Sequence, residues 1–228
     1  MKLVFDIETV GYDLNSLSES QQEFILRYSE KEVDDEMKKQ KEDAAIRYLS
    51  LYPLTAKVVA IGMLNTETEH SMVLYEDSEE LEWYSENNNV KYSSSSEEEM
   101  LTRFWEYVKK VDAVITFNGR NFDLPFLMMR SAMLKIKPTR NFIRKRYDNK
   151  SHIDLLDKFT QYGITKKFNL DFYCQAFGLE SPKSHGVSGM DIKELYNAKK
   201  TKEIATYCSH DVKATFKLFR IWEEFLNI

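Results

Sequence analysis

The 228-residue sequence contains only 7 glycines and 4 prolines. Chains built from many tight turns use more of both, so long elements with few turns are expected. No stretch approaches the ~20 consecutive apolar residues of a membrane-spanning helix. The N-terminus lacks a basic segment followed by an apolar core and a small-residue cleavage site, and its apolar residues read as a strand. Two cysteines, Cys174 and Cys208, have no paired spacing. That excludes a disulfide framework and leads to the expectation of a reduced, cytoplasmic protein. A basic balance is also missing, since the formal net charge is -5. Charge alone therefore gives no nucleic-acid footprint.

What is present is unevenly distributed. Residues 135–150, KIKPTRNFIRKRYDNK, hold seven lysines and arginines against one acid, Asp148. In isolation this reads as a solvated basic loop, with phosphate contact as the functional alternative. Residues 2–8 read as a strand. Residues 16–50 are charged and free of glycine and proline, which predicts an insertion of one or two helices ended by Pro53. Strands are expected at 56–64 and 70–76, forming a hairpin. Residues 85–96 read as polar loop. Ser96 and Glu99 form a capping box for a helix over 97–110. A strand at 112–117 is broken by Asn118-Gly119 and followed by a helix from about 122 to 133. HIDLLD reads as a strand running into a helix, 169–179 as a helix ended by Gly178, and 181–189 as loop. A long helix runs from about 199 to the C-terminus. This order predicts one α/β domain over 1–228 with a mixed sheet.

In the opening MKLVFDIETV, Asp6 and Glu8 interrupt an apolar run. An ionised carboxylate in apolar surroundings is costly unless something neutralises it. Two apart on a strand, the pair points to one face. Side by side the two repel, and a divalent cation that takes oxygen ligands, Mg²⁺ or Mn²⁺, removes the repulsion. Alone, the pair reads better as a strand end emerging into water. In TFNGRNFDLPFL, 116–127, Asp123 opens a helix whose N-terminus tolerates its charge. Asn118 and Asn121 either hold that turn or read a ligand. In IATYCSHDVKATF, 204–216, Tyr207 and Asp211 are four apart and share a helix face. A tyrosine hydroxyl beside a carboxylate is what a positioned water needs, although a core aromatic with a surface acid is the plainer reading. Phe122 is a candidate for stacking on a terminal base and Lys183 for a phosphate contact, with packing and solvation the plainer uses.

The ordered set, a strand D-x-E, then N-x-x-x-F-D-x-P, then Y-x-x-x-D, resembles the DEDD superfamily of 3′→5′ exonucleases in its tyrosine subtype. It is most similar to the proofreading exonuclease domain of family-B DNA polymerases. Asp6, Glu8, Asn118, Phe122, Asp123, Pro125, Tyr207 and Asp211 carry the likeness, which spans nearly the whole chain. The resemblance implies a ribonuclease H-like α/β fold with a five-stranded mixed sheet flanked by helices. It implies two divalent cations, Mg²⁺ or Mn²⁺, held by Asp6, Glu8, Asp123 and Asp211, with Tyr207 orienting the attacking water. The implied reaction hydrolyses the last phosphodiester at a 3′ end and releases nucleoside 5′-monophosphates.

Other residues are read against that pattern. The histidine subtype places its histidine five residues before the last aspartate, which here is Thr206, so His210 is read as structural or solvent-facing. His185 is read as idle and Cys208 as helix packing. Asp154 is a rival third ligand that lacks the N-x-x-x-F-D-x-P setting. The motifs fill the length, so a stand-alone exonuclease acting on single-stranded DNA ends is expected, with no membrane association. An RNA-trimming enzyme of the same superfamily and a catalytically silent nucleic-acid-binding module are the alternatives. The 16–50 insertion is not accounted for; shaping the substrate cleft, dimerisation and partner binding all stay open for it.

Overall fold

Strand β1 (Lys2–Gly11) alternates its side chains between two packed layers. Leu3, Phe5 and Ile7 enter one core, while Val4 enters the other. Asp6 and Glu8 share the face of Val4. A computed structural model describes residues 1–144, 150–181, 184 and 186–227. After β1 come two surface helices, α1 (Glu19–Leu26) and α2 (Asp35–Tyr48), neither of which buries a residue. Asp34 caps α2 by accepting the Met37 N–H at 2.8 Å.

The rest of the chain supplies β2 (Ala56–Asn65), β3 (Ser71–Tyr75), β4 (Glu82–Tyr84), β5 (Val90–Ser94), α3 (Glu97–Val108), β6 (Ala113–Thr116) and α4 (Asp123–Met133). Then follow β7 (His152–Asp154), α5 (Leu155–Phe159), α6 (Leu170–Ala176), α7 (Ile192–Asn197) and α8 (Thr201–Phe225). The strands form one mixed sheet in the order β4-β5-β3-β2-β1-β6-β7. The β2–β3 hairpin is present as read from the sequence, and the capping box closes with Glu99 accepting the Ser96 N–H at 2.8 Å.

The sheet has seven strands among the described residues, not five, and part of the expected polar loop at 85–96 is strand β5. The serines that suggested a loop are satisfied inside the fold. Arg103 donates to Ser93 Oγ at 3.2 Å and to Ser95 Oγ at 3.0 Å. Val90 and Tyr92 point inward, and Trp83 of β4 stacks on Tyr92 with ring centroids 3.7 Å apart.

Helices α3 and α4 cover one face through Leu101, Phe104, Trp105, Leu124 and Leu127. Glu97 of α3 and Arg130 of α4 join in a buried two-pronged pair, with Nε–Oε1 at 2.8 Å and Nη2–Oε2 at 2.6 Å. Glu97 Oε1 also accepts the Val58 N–H at 2.9 Å, so the pair ties both helices to β2.

Helix α8 covers the other face, presenting Ile204, Cys208, Val212, Phe219 and Trp222 at helical spacing. Its approach requires Gly62. A Cβ there would stand 2.7 Å from Val212 Cγ2 and 3.0 Å from Cys208 Sγ. Gly62→Ala is therefore expected to destabilise the protein by roughly 1–3 kcal/mol, as overpacking does. Urea unfolding of the variant beside the parent checks this, and an unchanged midpoint would contradict it.

Candidate active site

In β1, Asp6 pairs across the sheet with Gly62 and Glu8 with Ala60. Both partners on β2 are small, which leaves room above the strands for carboxylates and for α8. The ladder shifts register between Glu8 and Thr9, and such a bulge re-aims the side chains beside it. Oxygens of Asp6 and Glu8 and Sγ of Cys208 all lie within 4.8 Å of one another. One turn along α8, Tyr207 donates its hydroxyl to Asp211, and both feel the charges of the strand pair. Tyr207 and Glu8 are buried; Asp6 and Asp211 are half-buried.

Asp123 arrives from the opposite layer. It is the first residue of α4, and it accepts its own backbone N–H and that of Ile7. Asn118 makes the turn before it, with φ +65°, a left-handed conformation that asparagine tolerates. Asn118 O accepts from the N–H groups of Asn121 and Phe122, and Asn118 Oδ1 accepts from Asn121 Nδ2 at 3.1 Å. Of the two roles read for these asparagines, holding the turn is thus visible. Phe122 is half-buried, packs its ring 5.5 Å from that of Phe126, and lines a cavity beside Glu8.

Asp154, the rival third ligand, is already engaged. It accepts backbone N–H groups from Asn118 at 2.9 Å, Arg120 at 2.8 Å and Leu156 at 3.0 Å. Burial pushes its carboxyl upward, and the Arg120 and Asn118 donors oppose this. It braces the loop that delivers Asp123. Sequence spacing gives no sign of this, because the donors lie 34 and 36 residues away.

The four carboxylates brought together are mutually destabilising. Burial, then the charges of Asp123, Asp211 and Glu8, push the Asp6 carboxyl well up. Burial, then Asp211 and Asp123, do the same to Glu8. Asp123 is pushed up to about 7, first by burial. Among the described residues the nearest charges that act on Asp6 and Glu8 are other carboxylates. Asp123 Oδ1 is buried without a hydrogen-bond partner. An all-oxygen set of this charge, with a free buried lone pair, fits a divalent cation of the Mg²⁺ or Mn²⁺ kind. Burial, then the neighbouring carboxylates, also push the Tyr207 hydroxyl far up, so it stays protonated and acts as a donor.

Cys208 stands beside the carboxylates but belongs to the packing. Burial, then Glu8 and Asp6, push its thiol well up, and its Sγ lies 3.7 Å from the Asp6 carbonyl oxygen it donates to. A neutral thiol is a poor partner for an oxygen-seeking cation. His210 is half-buried and lines a recess with Thr206 and Tyr207. In the basic loop, Arg140 donates to the carbonyls of Val108, Val111 and Asp112, closing the end of α3. Residues 145–149, Lys183 and His185 lie outside the described residues.

The cavity lined by Glu8, Thr9 and Phe122 measures about 620 Å³. The end of α2 and the residues after it also line it, as do residues 188–190 and α7.

Comparison with known proteins agrees with this geometry. A family described as "Predicted 3'-5' exonuclease related to the exonuclease domain of PolB" matches residues 51–225, a span that holds Asp123, Tyr207 and Asp211 but not Asp6 and Glu8. A DNA polymerase of Pyrococcus glycovorans is 30% identical over 145 residues, covering 55% of this chain and 18% of the polymerase. A DNA polymerase of Thermococcus litoralis is 28% identical over 173 residues, covering 64% of this chain and 10% of its own length. The chain thus spans less than a fifth of these relatives. The family B DNA polymerase of Pyrobaculum calidifontis superposes with a TM-score of 0.60 at 18% identity, over 97% of this chain and 24% of the polymerase. That likeness shows the fold: the ribonuclease H-like α/β arrangement implied by the motifs, with seven strands.

The raised carboxyl groups give a pH signature to the metal-free protein. Groups with a folded pKa above the unfolded value stabilise the fold below the unfolded value and lose that contribution as pH rises through the folded one. For Asp123 the window runs from its ordinary 3.8 to about 7. In EDTA the melting temperature is expected to fall between pH 5 and pH 8, and to fall less in Asp123→Asn. Mg²⁺ or Mn²⁺ should raise it more at pH 8 than at pH 5. Calorimetric scans in the four conditions decide it, and a metal effect independent of pH would contradict the reading.

Proposed function

Since the chain belongs to the family of predicted 3′–5′ exonucleases related to the exonuclease domain of PolB, we propose that it removes nucleotides one at a time from the 3′ end of single-stranded DNA. The observation that carries this is the convergence of four carboxylates and a protonated tyrosine from three distant segments on one point beside a cavity. Asp6, Glu8, Asp123 and Asp211 hold two divalent cations in this reading. When bound, such cations stabilise the negative charge that develops on attacking and leaving oxygens. The hydroxyl of Tyr207, kept protonated by burial and anchored on Asp211, orients the attacking water and does not remove its proton. Water adds to phosphorus, the bond to the 3′ oxygen breaks, and a nucleoside 5′-monophosphate leaves with a new 3′ hydroxyl behind it.

Asn118 and Asn121 fix the loop that carries Phe122 to the cavity wall, where its ring meets the terminal nucleotide. Lys183 remains a proposed phosphate contact. The DNA polymerases among the relatives support DNA over RNA as substrate. Cys174 and Cys208, both free and buried, support the cytoplasmic setting. Among the described residues no helix is long and apolar enough to cross a membrane. The reading includes that these 228 residues carry the activity without a polymerase module.

The test uses 5′-labelled single-stranded DNA and RNA of one sequence, with Mg²⁺, Mn²⁺ or EDTA. A ladder shortening from the 3′ end is expected in either metal, faster on DNA, and absent in EDTA and in Asp6→Ala and Asp211→Ala. Tyr207→Phe should slow turnover by roughly 10²-fold, as misplacing a reactant does. A faster ladder on RNA would transfer the reading to RNA trimming. No cleavage of either strand by folded protein would leave a binding module.

A further inference from the structure

The cavity beside Glu8 has a wall that lies mostly outside the family match. The match begins at residue 51, and the wall is built by Arg47 and Tyr48 at the end of the helical insertion and by Leu51 directly after it. Met190 and Lys193 line the same cavity. Tyr48 is 52% exposed, Leu51 47% and Met190 66%. Large apolar side chains held open around one cavity mark a place where a ligand is covered.

The wall is also fixed in place. Thr9 Oγ1 donates to Ser50 O at 2.7 Å, directly after Glu8 in the chain. Leu49 is buried against Gly11, where a Cβ would stand 2.9 Å from both Leu49 Cβ and Ser50 N. Strand β1 therefore carries the carboxylates and seats the wall within a few residues, which preorganises the two together. Among the described residues Arg47 forms no ion pair, and Lys193 pairs with Asp13, a side chain 80% exposed, where solvent weakens the contact. Glu8 and Glu194 line the same cavity, so its lining carries charges of both signs.

Resting on the exonuclease reading above, we propose that Tyr48 and Leu51 are a stacking wall for the unpaired bases at the 3′ end of a single strand, with Arg47 meeting its phosphates. Base faces stack on aromatic and apolar side chains whatever their sequence. A base inside a duplex offers no free face, so this wall selects frayed or single-stranded ends. The insertion thereby becomes the specificity element of the cleft.

The experiment measures KM in Mg²⁺ on 5′-fluorescein oligothymidylate and on a blunt hairpin of equal length. In parallel, anisotropy reads binding of the same strands to proteins carrying Asp6→Ala. Tyr48→Ala is expected to raise KM and Kd for the single strand by roughly tenfold, with a smaller effect on the hairpin. Tyr48→Phe should restore the parent values, because the ring face makes the contact. Leu51→Ala should shift KM in the same direction, and Phe24→Ala, an exposed aromatic on α1 outside the cavity, should leave it at the parent value. Thermal melts establish that each variant is folded. Cleavage by the parent with an unaltered KM in Tyr48→Ala overturns the wall, as does a Tyr48→Phe that behaves like Tyr48→Ala. A parent that cleaves nothing overturns the exonuclease reading instead, and the anisotropy arm still decides whether Tyr48 holds the strand.

Discussion

The close seat of α8 on the β1–β2 pair is the contact on which the rest of the molecule depends. It exists because Gly62 and Ala60 stand opposite Asp6 and Glu8, so the helix meets backbone where it would otherwise meet side chains. The seat is secured by groups other than the acids. Phe219 and Trp222 are buried in the core at one end, where Lys2 pairs with Glu223 at 2.5 Å. Beside the centre itself, on the turn between Tyr207 and Asp211, Tyr92 donates to Ser209 Oγ at 3.0 Å. Apolar burial along 25 helical residues thus holds together a cluster that repels itself, since each square ångström of apolar surface removed from water stabilises by about 25 cal/mol.

Three buried carboxylates show three ways of meeting the same cost. Glu97 is neutralised by the guanidinium of Arg130 and serves as a strut between layers. Asp154 is solvated by three backbone amides and serves as a brace for a loop. Asp123 keeps one oxygen without a partner and sits among other acids. Only the last arrangement leaves the cost unmet by the protein itself. That difference separates a structural acid from one arranged to receive a ligand, and it needs no knowledge of the reaction.

Much of this was legible in the sequence because the informative signals were local. The two-residue spacing of Asp6 and Glu8 put both on one face, and the four-residue spacing of Tyr207 and Asp211 put both on one side of a helix. Ser96 and Glu99 marked a helix start that the structure reproduces. What failed to show was settled by partners far away in the chain. Strand β5 looked like loop because the fate of Ser93 and Ser95 rests on Arg103. The role of Asp154 rests on amides of the Asn118–Arg120 turn. His210, read as structural or solvent-facing, lines a recess with Thr206 and Tyr207, a placement that no local signal gives. The reach of the helical insertion into the cleft follows from Thr9 and Gly11, neither of which signals it alone.

The sheet ends on both sides in a strand of three residues, β4 and β7. An unpaired strand edge is a template on which another chain can add itself, and the template is only as strong as its length. At either border of this sheet a neighbour would find few backbone groups in register. The β4 border also carries Glu82 paired with Lys91 at 2.7 Å, a charged fringe that discourages a flat apolar approach. Short, charged borders of this kind offer little purchase for edge-to-edge pairing.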